Sequence, residues 1–148
     1  MSGNKVIGSV IFSTLIFMLI AQTIHIMGSV IFQKYYVSSD YYYIWSKIMM
    51  PHPGPPPKIF YILSFTFNFV TGALLSIGYR IIRSGIPGTG LLNKGLIYGL
   101  IIFIIGVIPG YLALILLINL PIALIVGWVV ENLIIDLLGG IAIARINK

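Results

Sequence analysis

The stretch that most constrains this chain is residues 121–146, PIALIVGWVVENLIIDLLGGIAIARI, an apolar run with two acids inside it. At 1.5 Å per residue it is about 39 Å long as a helix, enough to cross a hydrocarbon core of roughly 30 Å. Glu131 then sits near the middle and Asp136 one and a half turns further on. An ionised carboxylate at that depth costs about 3 kcal/mol or more, so each acid must face protein, water or a partner. With Glu131 at 0° and about 100° per residue, Gly127 falls at about −40°, Asn132 at 100°, Asp136 at 140° and Gly140 at 180°. Val126, Val130, Leu133, Ile134, Leu137 and Ile141 occupy the remaining arc and read as the lipid stripe. Two carboxylates about 140° apart address different neighbouring helices, which argues against a dicarboxylate catalytic pair or a shared metal.

Composition extends this reading to the whole molecule. Of 148 residues 59% are hydrophobic and 8% charged, and the mean hydropathy is +1.07, values of an integral membrane protein with one membrane domain over 1–148. The net charge of +6 is spread at the ends of apolar runs, so it speaks for membrane orientation and against nucleic acid. There is no cysteine, hence no disulfide, thiolate metal site or cysteine nucleophile. The first apolar run is too long for a signal-peptide core and reads as a retained anchor.

Four spans are expected, at 6–32, 59–82, 95–118 and 121–146, forming an all-α integral membrane protein with four transmembrane helices in a compact bundle. Only Asn119 and Leu120 separate the last two, a short hairpin with Pro121 in the first helical turn. Lys5, Arg80, Arg83, Lys94, Arg145 and Lys148 fall on one side, against Lys34, Lys47 and Lys58 on the other, which places both termini in the cytoplasm. The outside loop, 33–58, is rich in aromatics and proline. Tyr41, Tyr42, Tyr43 and Trp45 read as interfacial anchors, with a short helix over 40–50 capped by Ser39 or Asp40. The PHPGPPP stretch that follows reads as a stiff extended strap.

Polar and small residues recur inside the spans. The first carries Thr14, Gln22, His25 and Ser29 on one face, and the second Ser64, Asn68, Thr71 and Gly72. In the third, Gly95, Gly99, Gly106 and Gly110 share a face and form a groove for close helix approach, to which Gly127 and Gly140 add from the fourth. Pro109 predicts a kink. Counting depth along each span puts Gln22, Asn68, Glu131, Pro109 and Gly110 in one mid-membrane polar layer, with His25 above it and Asp136 below, near Thr71.

That layer has two meanings. In one it is a neutral network in which a protonated Glu131 donates to Gln22 or Asn68, and the chain is a non-catalytic subunit that packs with itself or with other membrane subunits. In the other it is the path of a small transporter or channel for protons, cations or small solutes. A lipid or quinone bound between spans, beside Trp128 or the aromatic loop, is a third reading, and no other cofactor is expected. Enzymatic readings find no support: GIPGTG lacks the lysine and hydroxyl of a phosphate loop, Glu-x-x-His is absent, and His25 alone lies in a span where haem would need two ligands.

Overall fold

The computed structural model describes residues 3–148, and no strand occurs among them. In chain order the elements are α1 (Gly3–Ile31), a single turn α2 (Gln33–Tyr36), a 3₁₀ turn (Ser39–Ile44), α3 (Lys58–Ile82), α4 (Gly90–Ile102), a π-helical turn (Phe103–Val107), α5 (Ile108–Leu117) and α6 (Ile122–Ile146). Because α4, the π turn and α5 run on without a break, four helices are long and apolar enough to cross a membrane: Gly3–Ile31, Lys58–Ile82, Gly90–Leu117 and Ile122–Ile146.

Three local expectations are corrected. The third helix starts at Gly90, not at residue 95, so Lys94 is no loop charge: it sits within the helix and its Nζ donates back to the carbonyl of Arg83 at 3.3 Å. Pro121 stands just before α6 as its cap, in extended geometry (φ −56°, ψ 127°), rather than inside the first turn. The helix expected over 40–50 is only the 3₁₀ turn, capped by Ser38, whose hydroxyl accepts from the Asp40 N–H at 3.3 Å. It ends where Trp45 turns extended and carries its indole inward.

Helix α6 is the central element, packed on α1 along one side and on α4 along the other, while α3 lies against α1. Glycine makes both approaches possible. A Cβ on Gly99 would meet the carbonyl oxygen of Asp136, and one on Gly95 would come within 2.6 Å of Ile141 Cα; Gly140 answers from α6 against Gly95 and Gly99. Here the two backbones touch, with no side chain between them. On the other side the Phe17 ring of α1 is clamped between Gly72 of α3 and Gly139 of α6. Phe17 then joins Ala21, Tyr79, Tyr98, Ile135, Ile143 and Ala144 in the larger core cluster. The face turned away from all this is Val126, Val130, Ile134 and Leu138, whereas Leu137 and Ile141, expected on it, present their backbones to α4.

Tyr98 ties α4 to α3. Its hydroxyl donates to the Leu75 carbonyl at 2.6 Å, and its ring meets Tyr79 edge-on at 5.1 Å. Since a helical carbonyl keeps its own partner, Tyr98→Phe is expected to lower stability by about 1 kcal/mol, read as a small fall in the unfolding midpoint in mild detergent.

The four-glycine groove of the third helix does not survive as one face. Gly95 and Gly99 are sealed against α6, but Gly106 and Gly110 have open space where a side chain would be. The cause is the π turn that follows Gly99. Pro109 has no N–H and its ring collides with a normal helical carbonyl four residues back, and the π turn relieves this by widening one turn, with the Ile108 N–H bonded to the Phe103 carbonyl. One extra residue in a turn rotates everything beyond it by roughly 100°.

Candidate ligand cavity at the loop end

At the end of the bundle that carries the loop, α1 presents Gln22, His25, Gly28 and Ser29 toward its neighbours. These build two separate polar clusters. The Gln22 Oε1 accepts from both Ser64 Oγ and Asn68 Nδ2 of α3, each at 3.1 Å. Glu131 of α6 instead meets His25, with Nδ1 3.4 Å from Oε2. The expected link from Glu131 to Gln22 or Asn68 is therefore not formed, because the Gln22 oxygen is already engaged twice. Glu131 can lie on α1 only because residue 28 is glycine: a Cβ there would occupy the position of its carboxyl group. Its other oxygen, Oε1, is buried with no hydrogen-bond partner.

Above these residues is a cavity of about 710 Å³, bounded by α1, α3, α6 and the loop. Gln22, His25, Ser64 and Glu131 give it polar lining, and Gly54, Pro55 and Pro56 of the strap line it as well. Its size lies within the roughly 300–1,000 Å³ typical of small-molecule sites. One wall is an aromatic group centred on Trp128, whose Nε1 donates to Tyr36 Oη at 2.7 Å. Ring centroids of Tyr36, Trp45 and Tyr111 lie 6.2–6.4 Å from that of Trp128. Burial raises the Tyr36 phenol above its ordinary pKa, outweighing the lowering by the Trp128 bond, so the hydroxyl keeps a proton to donate. Phe32 seats its ring over Gly127, which fixes the top of α1 on α6.

The remaining candidates divide. Pro109 and Gly110 are exposed on the flank and take no part in either cluster, the third helix having been turned by the π segment; Gly106 and Gly110 line only a shallow recess beside Tyr111 and Trp128. A single layer fed by all four spans is thus replaced by two clusters fed by three helices. Asp136 falls on a different face of α6 from Glu131, with its backbone carbonyl against Gly99 of α4, and its Oδ2 is buried without a partner. Thr71 is half-buried and enters none of the side-chain hydrogen bonds among the described residues. The aromatic belt also splits: Tyr43 is 91% exposed and Tyr41 and Tyr42 half-buried, whereas Trp45 belongs to the cavity wall. Among the described residues no three His, Asp or Glu side chains gather to hold a metal.

Fold and cavity together define an all-helical chain with four helices of membrane-crossing length and a ligand-sized space under the loop. No known protein family, curated protein or solved structure matches it.

Proposed function

We propose that this chain is a non-catalytic multi-pass membrane protein that holds a small amphipathic molecule in the loop-end cavity. The observation that carries the reading is the cavity itself, with polar lining at His25 and Glu131 and an aromatic wall at Trp128, Tyr36 and Trp45. With six basic residues on the side of the termini and three on the other, the mouth faces away from the cytoplasm. Holding is favoured over conduction because the opposite half is filled. Phe17 and the apposed glycines close the middle, and below them Ser13, Ser76 and Asn147 are 0–1% exposed.

Two experiments test this. Intact protein released from lipid nanodiscs into a mass spectrometer is expected to retain a small-molecule adduct that Ser29→Phe, which plugs the cavity from an open position on α1, removes. Identical spectra for the two proteins would defeat the reading. Flux separates it from transport: neither the wild type nor Glu131→Gln is expected to carry protons into liposomes, and a pH-dependent flux abolished by that substitution would establish a transporter.

A second reading, membership of a larger membrane assembly, is favoured by α5. None of its residues is buried, and Gly106 and Gly110 lie open on its flank. It is compatible with the first.

A further inference from the structure

The chemistry of the lining narrows the class of molecule. Nine lysines and arginines occur in the chain and none of them lines the cavity; the titratable groups that do are His25, Tyr36, Tyr61 and Glu131. Glu131 is the only acid among them, and neither lysine nor arginine faces it. Its Oε2 has a long contact of 3.4 Å to His25, and its Oε1 is buried with no hydrogen-bond partner. An anion entering this site would meet an acid and no lysine or arginine. A cation would meet that acid and, on the same cavity wall, the aromatic group of Trp128, Trp45 and Tyr36, whose ring centroids lie within 5.1–6.4 Å of one another. Aromatic faces converging with a carboxylate favour organic cations of low hydration, and desolvation strengthens both attractions. Past the charged end, Ile26, Val30 and Phe60 offer an apolar lining for a hydrocarbon portion.

On the cavity reading above, we infer that the occupant is an amphipathic organic cation, with an ammonium- or phosphonium-like head between Glu131 and the Trp128 group and an apolar part along α1 and α3. The two tryptophans of the chain, Trp45 and Trp128, both line the cavity, so intrinsic emission reports on it directly.

The test uses the full chain in lipid nanodiscs and two probes of the same shape and opposite charge, tetraphenylphosphonium and tetraphenylborate, with Ser29→Phe titrated in parallel to subtract partition into lipid. Tetraphenylphosphonium is expected to give a saturable change in emission at a concentration about tenfold or more below any given by tetraphenylborate. Glu131→Gln, equal in shape, is expected to abolish that preference. Saturable binding of both probes without a charge preference, or a preference untouched by Glu131→Gln, would overturn the cation assignment while leaving the cavity as a binding site. No saturable change beyond that of Ser29→Phe with either probe would overturn both.

Discussion

Gly99→Leu is expected to separate α4 from α6 and to remove most of the folded protein, while Gly106→Leu, in the same helix, leaves stability within about 0.5 kcal/mol of the wild type. At position 99 even a methyl group would land on the carbonyl oxygen of Asp136, with Leu137 Cα 2.9 Å away; these are backbone atoms of the central helix and cannot swing aside. Gly140 faces the same contact from the other side, against the Gly95 carbonyl and the Gly99 N–H. A forced overlap in a packed interior costs about 1–3 kcal/mol where side chains can yield and more where they cannot, so a loss of about 3 kcal/mol or more is expected. At position 106 an added Cβ meets nothing within 4 Å. The measurement is the fraction of protein that stays monodisperse in mild detergent across a temperature series. Equal losses for the two variants would show that the α4–α6 contact is not what holds the bundle.

This pair of residues also marks the limit of what periodicity can show. Helices and approximate ends were legible because an apolar run of more than twenty residues has few alternatives, and the opposed directions of Glu131 and Asp136 followed from angle alone. Gly95, Gly99, Gly106 and Gly110 share an arc on an ideal helix, but the π turn at Phe103–Val107 changes the winding after Gly99, and a winding change is invisible to a calculation that assumes a constant 100°. The polar layer failed for a related reason. Depth can be counted from residue numbers, whereas the choice between Gln22 and His25 as partner of Glu131 depends on which face of α1 meets α6. A signal was present in Gly28: it falls one turn beyond His25 on the same face, and a gap in a polar stripe is where another helix's long side chain can lie. The cavity wall was half legible. Trp128 stood out as an aromatic inside a span, but Trp45 looked like an interface anchor because nothing in a Tyr-rich loop states which ring folds inward.

The second large effect belongs to Asn147, which no motif announces. It is 1% exposed and joins three helices at the end opposite the cavity. Its Nδ2 donates to Ser13 Oγ of α1 at 2.9 Å and to the Ile143 carbonyl at 3.1 Å, and its Oδ1 accepts from Arg80 of α3 at 3.1 Å. Its backbone carbonyl accepts from Arg83 at 3.0 Å, and Ser13 passes the network on to Ser76 at 2.8 Å. Asn147→Leu keeps a similar volume and the backbone bond, but strips a partner from the buried Ser13 and from the Arg80 guanidinium. Each buried group left short costs about 1–3 kcal/mol, with more for a charged one, so a loss of about 3 kcal/mol is expected. Arg80 retains its 3.1 Å bond to Ser9, which keeps the effect below complete unfolding. Asn147→Asp preserves the acceptor for Arg80 and loses the donor to Ser13 and to the Ile143 carbonyl, and should fall between the wild type and Asn147→Leu. The decisive measurement is a double-mutant cycle with Ser13→Ala in mild detergent: a coupling of about 1 kcal/mol is expected, since once Asn147 is gone the serine hydroxyl has less to lose. Strict additivity would mean that the helices are held at this end by apolar packing alone. Coupling would mean that a polar staple fixes α1, α3 and α6 together at the end opposite the cavity.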